Sequence, residues 1–584
     1  MHRLFLIHQR TRPLTLLLVI LMNTALLYGQ SPALNRKATS TIINPINLSY
    51  RFCLDTPSRR EAADPTMVNF KGEYYLFASK SGGYFHSTDL KNWQLITTKD
   101  LPLEDYAPTA VAIGDTLYFM AGANNPVIYK SGDPKSGKWS VANTGLPLNL
   151  VADPCLFLDE DGRLFLYFGC SDVQPIYGVE LDKKTFNPLG KPTALLKSDT
   201  TNYGWERKGD HNELPGSPWI EGSWMTKHKG KYYLQYAGPG TEFKSYSDGV
   251  YVSKSPLGPF KLGADNPFSS KPEGFIAGAG HGSTFKDNYG NYWHIATMTI
   301  SQKHMFERRL GLFPTFFDKD GVMTTYTGFG DFPYYLPTFR FTDPRELFAN
   351  WMLLSYKKQV NVSSSLPGHE AALATDENIR TYWSAKTGGP DEWIQIDLKN
   401  LCTVNAVQLN FAENNTDAFG RAPGLRFQYN LQYSEDGKVW HEMIDKADNN
   451  MDLSHDYINL TRPVKARFIK LSNKDVPSGT FALSDLRVFG NRNASTPKEV
   501  DGLQVRRSKD DRVQVILSWK ENNDAVGYNI RYGTDPSKLY HNYQVLGGHG
   551  VTIRSLSALR SYYFTVDAFN ESGVTRGKAV IKVQ

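Results

Sequence analysis

The sequence predicts an all-β chain in which a five-bladed β-propeller is followed by two β-sandwiches. Three observations carry this. A glycine followed by a run of aromatic and aliphatic residues recurs five times; the pattern changes near Arg345 to short strands with turn-rich spacers; and a cleanly alternating unit begins near Val500. The five copies are Gly72-Glu73-Tyr74-Tyr75-Leu76-Phe77, Gly114-Asp115-Thr116-Leu117-Tyr118-Phe119, Gly162-Arg163-Leu164-Phe165-Leu166-Tyr167, Gly230-Lys231-Tyr232-Tyr233-Leu234-Gln235 and Gly290-Asn291-Tyr292-Trp293-His294-Ile295. Each follows an apolar stretch and a turn, so each reads as the second strand of a hairpin. Repetition of one hairpin unit without helices between the copies points to sheets arranged radially.

Taken in order, the chain opens with Arg3, Arg10 and Arg12 ahead of the apolar run Leu14–Met22 and small residues around Ala25 and Gly29. This is the pattern of a secretory signal peptide over residues 1–29, too short for a membrane anchor, with no Cys directly after it. The expectation is a secreted or periplasmic protein with no membrane span once the signal is removed. Residues 31–60 read as a polar lead-in and 60–340 as the propeller. Outer hairpins end in Trp93, Trp139 and Phe260, aromatics suited to plugging the space between sheets. Residues 345–490 form the first sandwich, with Trp393–Leu398 and Val404–Leu409 as separate strands. Asn491–Glu499 is a linker, and residues 498–584 hold the second, immunoglobulin-like sandwich.

Composition excludes several classes. A net charge of +6 spread over 584 residues, without a block of like charge, gives no case for nucleic acid. Four Cys, with no CxxC and no Cys/His cluster, give none for zinc. The 13% aromatic content suits β-core packing and also stacking on sugar rings.

Three carboxylates stand where strands open: Asp64 before Pro65, Asp153 before Pro154, and Glu221 before Gly222-Ser223. Singly, each reads as a strand-capping turn residue. Their shared offset before the repeated strand predicts that they converge at one mouth of the central channel. Glu221 lies between Trp219 and Trp224, whose bulk is expected to desolvate it, and desolvation favours the protonated form that an acid catalyst needs. His281 sits at the same offset in the fifth copy, and Arg308 opens a later strand; each reads equally as a site residue or as an ordinary core or surface residue. Paired carboxylates with divided roles are the equipment of glycoside hydrolysis.

In order and one per blade, Ala63-Asp64-Pro65, Asp89-Leu90-Lys91-Asn92-Trp93, Ala107-Pro108, Asp153-Pro154, Glu221-Gly222-Ser223, Gly280-His281-Gly282-Ser283 and Arg308 with Asp318-Lys319-Asp320-Gly321 resemble glycoside hydrolase family 43. The resemblance implies Asp64 as general base, Glu221 as general acid and Asp153 as the group that orients the acid and keeps its pKa raised. It implies inversion at the anomeric carbon, no required cofactor, an Arg308 that contacts the acids, and a His281 near calcium or water in the channel. Trp205, in a loop ahead of Glu221, and Trp224 are expected to bind substrate, the loop on the leaving-group side. Residues 361–490, through Asp376, Thr381-Tyr382-Trp383 and Trp393–Asp397, resemble a discoidin-type sandwich, and residues 500–584 resemble a fibronectin type III domain. The expected activity is exo-acting release of terminal sugars from arabinan, arabinoxylan or galactan-type glycans. An α-L-arabinofuranosidase leads, with β-xylosidase, β-galactosidase or galactofuranosidase, or a non-catalytic glycan-binding propeller, as alternatives.

Overall fold

A computed structural model describes residues 40–584, and the signal segment expected at 1–29 lies outside the described residues. Among the described residues the regular structure is β-strand with four short 3₁₀ turns. No helix there is long and apolar enough to cross a membrane.

Residues 63–325 form five consecutive four-stranded antiparallel meanders. Their first strands are Ala63–Phe70, Thr109–Ile113, Cys155–Leu158, Glu221–His228 and Ala277–Lys286. Each first strand adjoins the next, and the fifth adjoins the first, so the sheets close into a ring. The repeated glycine-aromatic segments are the second strands. Their glycines, Gly72, Gly114, Gly162, Gly230 and Gly290, all sit at the hairpin turn with φ between 59° and 87°, backbone that a side chain disfavours. Neighbouring sheets are glued by aromatics. Phe77, Tyr84, Phe119 and Trp139 form one layer between the first and second sheets, where the Trp139 indole N–H donates to Tyr84 Oη at 3.1 Å.

The lead-in differs from expectation. Residues 41–53 are mostly buried rather than solvated. Thr41–Ile42 pairs with Tyr334–Tyr335, Arg51–Phe52 pairs with Arg60–Glu61, and Asn44 exchanges hydrogen bonds with the backbone of Leu312 and Gly330. The segment is a strap along the outer side of the fifth sheet. Asn44 is spent on backbone groups that would otherwise lie buried without partners.

Residues 352–492 form one eight-stranded sheet folded upon itself around Trp383, Phe411 and Phe481. The two strands expected at 393–398 and 404–409 are one, Trp393–Phe411, with register shifts between Asp397 and Cys402 and between Val404 and Ala406. Bulges bend a strand and increase its twist, which lets a single strand serve both layers. The last unit has a three-stranded sheet (Gln504–Arg507, Val515–Ser518, Gly550–Ile553) against a second built on Gly527–Gly533 and Tyr562–Asn570. Trp519, Tyr528, Ile530 and Phe564 lie in its core.

Candidate active site

The ring has one backbone feature at the start of every sheet. Asp64, Ala107, Asp153, Gly222 and His281 have φ of 52°, 50°, 49°, 61° and 42°. Left-handed conformations at residues other than glycine store strain and gather at functional sites. In three sheets the first strand also shifts register at this point. The kinks bring side chains from separate sheets together. The backbone places Gly222, rather than Glu221, at the position of the two aspartates, and Glu221 stands one residue earlier. An added Cβ at Gly222 would lie 2.6 Å from His281 Cγ, so the glycine is what lets the imidazole enter the cluster.

Asp64 is 5% exposed. Its Oδ1 lies 3.2 Å from Arg308 Nη1 and 3.3 Å from His281 Nδ1, and its Oδ2 accepts from Ser79 Oγ at 2.7 Å. Burial alone would raise its pKa; Arg308, His281 and Ser79 together outweigh this and hold the carboxyl below the usual range. Arg308 is itself fixed by Glu61, whose Oε1 lies 2.5 Å from its Nη2. Asp153 Oδ2 is 3.6 Å from the same His281 Nδ1 and accepts the Gly222 N–H at 3.1 Å. Burial pushes Asp153 up to about 7, His281 opposes this, and the carboxylates of Glu221 and Asp64 add to the rise. Burial works against charge on His281, but Asp64, Asp153, Glu221 and Asp248 prevail and raise its pKa. Asp248 also holds the His281 kink, accepting the N–H groups of His281 and Gly282 at 2.7 and 3.0 Å.

The two oxygens of Glu221 have separate donors: the Tyr246 hydroxyl on Oε1, and the Cys170 thiol on Oε2 at 3.1 Å. Ligand atoms of Asp153, Glu221 and His281 all lie within 4.8 Å of one another. Two carboxylates and one imidazole fall well short of the roughly six to eight oxygens that calcium takes, and the Glu221 oxygens are already hydrogen-bonded.

Of the residues predicted from sequence, the structure brings together Asp64, Asp153, Glu221, His281 and Arg308. It does not bring Trp205 or Trp224. Trp205 is 2% exposed and stacked at a tilt on Tyr236, and its loop docks on the last sandwich through Gly204 N–H to Leu556 O at 2.9 Å. That loop therefore bridges two units rather than flanking the cluster. Trp224 joins the aromatic layer between the third and fourth sheets, and its indole N–H donates to Thr284 O at 3.0 Å. Trp219 is 43% exposed, so the expected desolvation of Glu221 by its flanking tryptophans is not what encloses it. Sequence reading missed Glu61, Ser79, Cys170, Tyr246 and Asp248. It also missed the aromatic pair Tyr106 and Phe306, whose rings are 5.9 Å apart, with Phe306 4.8 Å from the Arg308 guanidinium carbon. For Tyr106 a signal existed: it precedes Ala107-Pro108, the counterpart in the second sheet of Asp64-Pro65.

The ring of sheets thus gathers ionisable side chains from separate sheets into one buried cluster. Residues 58–323 match the model of Glycosyl hydrolases family 43, and residues 359–485 match the F5/8 type C domain. The chain is 25% identical over 275 residues to a β-D-galactofuranosidase of Aspergillus niger, covering 40% of this chain and 72% of that protein. It is 27% identical over 146 residues to a β-xylosidase of Xylanibacter ruminicola, covering 22% of this chain and 41% of that protein. It is 26% identical over 274 residues to an extracellular endo-α-(1→5)-L-arabinanase of Bacillus subtilis, covering 38% of this chain and 53% of that protein. The chain thus spans about half or less of the length of two of these three relatives. A solved thermostable family-43 glycoside hydrolase aligns at TM-score 0.40 with 20% identity, covering 49% of this chain and 95% of its own. Residues 58–323 are thus similar to family 43 glycoside hydrolases, and it is these homologues that point to a glycosidase.

Proposed function

We propose that the protein is a secreted, inverting exo-glycosidase that removes terminal sugars from plant polysaccharide, with α-L-arabinofuranosides as the leading substrate and β-xylosides or galactofuranosides as alternatives. The closed ring of five sheets is read as a five-bladed propeller, the 352–492 unit as a discoidin-type sandwich, and the last unit as fibronectin type III. The observation that carries the reading is the convergence of carboxyls from three sheets around His281: Asp64 and Asp153 at 3.3 and 3.6 Å from its Nδ1, with Glu221 beside them, and with Asp64 held low by Arg308 and His281.

In this reading ionised Asp64 takes a proton from water as the water oxygen attacks the anomeric carbon. Glu221 gives a proton to the departing glycosidic oxygen, and the bond between that oxygen and the anomeric carbon breaks. Asp153 accepts the Gly222 N–H at 3.1 Å and so orients the backbone beside the acid, the positioning role the family resemblance implies for it. Arg308 and His281 keep Asp64 ionised. These steps use side chains alone. The substrate range rests on the relatives, which include a galactofuranosidase, a β-xylosidase and an arabinanase.

The test is product analysis on aryl pentofuranosides, pentopyranosides and galactosides, and on arabinan, xylan and galactan, with wild type, Asp64→Asn and Glu221→Gln. Release of one terminal sugar by wild type, with kcat reduced by about 10² to 10⁴ in each variant, is expected. Equal, negligible release by all three proteins would instead favour a glycan-binding propeller without activity.

A further inference from the structure

Among the described residues Glu221 has no cation within ion-pair distance, although it faces His281 and Asp153 with ligand atoms within 4.8 Å; both of its hydrogen bonds come from neutral donors of unequal strength. Tyr246 is fully buried, and burial, then the nearby carboxylates, push its phenol well above its ordinary value, so it stays protonated and donates. Its ring reaches Glu221 across Gly280, where a Cβ would stand 2.9 Å from the ring. Cys170 is placed by an antiparallel bridge: the N–H of Ser171 bonds Ile220 O at 3.1 Å and the N–H of Ile220 bonds Ser171 O at 3.0 Å, which sets the next residues out from the bridge, Cys170 and Glu221, side by side. Burial, with Asp153 and Glu221 beside it, pushes this thiol up as well, so it is S–H rather than thiolate. All four Cys are free, and Cys170 alone among them is partly exposed.

We infer that Cys170 and Tyr246 are positioning residues that set which oxygen of Glu221 carries the catalytic proton. The inference rests on Glu221 being the general acid. A phenol hydroxyl is a firm donor, so Oε1 is kept as the accepting oxygen in both protonation states. A thiol is a weak donor and a weak acceptor. Oε2 therefore bears the proton when Glu221 is neutral, and receives only a weak S–H bond when it is ionised. The proton leaves Oε2 for the glycosidic oxygen as the bond to the anomeric carbon breaks, and the thiol neither holds it back nor strongly stabilises the anion left behind. A hydroxyl at position 170 would do the second and so make Glu221 a stronger but less readily protonated acid.

The experiment is the pH dependence of kcat/KM for wild type, Cys170→Ser, Cys170→Ala, Tyr246→Phe and Glu221→Gln. It uses an aryl glycoside with a good leaving group and an alkyl glycoside of the same sugar, with thermal melting as the folding control. The alkaline limb is expected to move down by roughly half a unit to one unit in Cys170→Ser, where a stronger donor favours the carboxylate, and up in Cys170→Ala and Tyr246→Phe, where a donor is lost. The loss of kcat is expected to be several-fold greater on the alkyl substrate, which needs the acid, than on the aryl one. A merely structural role would lower both substrates alike and leave the limb in place. If Glu221→Gln loses the alkyl activity while the limb is unmoved in Cys170→Ser and Tyr246→Phe, or moves up in Cys170→Ser, the positioning inference is overturned and the hydrolase reading stands. If Glu221→Gln keeps wild-type activity on the alkyl substrate, the acid assignment itself fails and this inference falls with it.

Discussion

Asp64 and Asp153 are the same residue type, on the same left-handed kink, each followed by proline, yet their surroundings send them in opposite directions. Asp64 faces Arg308, His281 and Ser79; Asp153 shares only the histidine and has two carboxylates for neighbours. For Asp153, whose folded pKa is raised, the stabilising contribution is complete below the ordinary aspartate value of about 3.9 and is lost as pH rises through about 7. Asp153→Asn keeps an acceptor for Gly222 N–H and cannot ionise. Its melting temperature is therefore expected to gain on wild type between pH 5 and pH 8 in scanning calorimetry, even as activity falls. Asp64 has the reverse sign: its contribution is present above the ordinary value and lost as pH falls through its depressed pKa. An acid or histidine at the start of an apolar strand is visible in sequence, which is why Asp64, Asp153, Glu221 and His281 were legible, while Arg308 was marked only by its place at the head of a later strand. Their partners were not. Ser79, Cys170, Tyr246 and Asp248 reach the cluster from second and third strands, or the loops beside them, and nothing in local pattern separates them from other polar residues there. Trp205 and Trp224 misled because nearness to Glu221 in sequence places them in the layers between sheets, away from the axis.

At the scale of one strand, the kink at Gly222 does two things. It turns the chain at φ 61°, and its lack of a side chain leaves room for His281. Gly222→Ala meets both a backbone that disfavours alanine and a contact of 2.6 Å to the imidazole. A loss of about 1 to 3 kcal/mol in urea unfolding is expected, together with a raised acid limb of kcat/KM as His281 withdraws from Asp64. Gly216→Ala, at φ 107° with open space around the site of its Cβ, carries only the backbone cost and serves as the control. The repeated hairpins were legible because glycine at the turn and apolar residues after it are local requirements. The fused strand 393–411 was not, because a bulge in mid-strand looks in sequence like a turn between two strands. The strap at 41–53 was not, because its polar residues serve partners far away in sequence: Asn44 the backbone of Leu312 and Gly330, Arg51 the Glu104 carboxylate.

Across the whole molecule, the units are pinned by buried arginines. Arg487 of the sandwich pairs with Glu377 at 2.6 Å and donates to Asp331 O, just after the ring, at 2.7 Å, while Arg60, in the strand that pairs with the end of the strap, ion-pairs with Glu413 and Asp452 of the sandwich. Removing one partner of a buried pair leaves the other charge unmatched. Arg487→Ala is expected to cost about 3 to 5 kcal/mol and to split the calorimetric unfolding into separate transitions. Loss of the exposed Arg345–Asp343 pair is expected to cost less than about 1 kcal/mol. In the proposed inverting reaction Asp64 in the first sheet and Glu221 in the fourth act from opposite sides of the sugar, with the attacking water beside Asp64. Proton NMR of the first-formed sugar, recorded before mutarotation, tests the claim most directly. The account predicts the anomer of inverted configuration, and a retained anomer would contradict it.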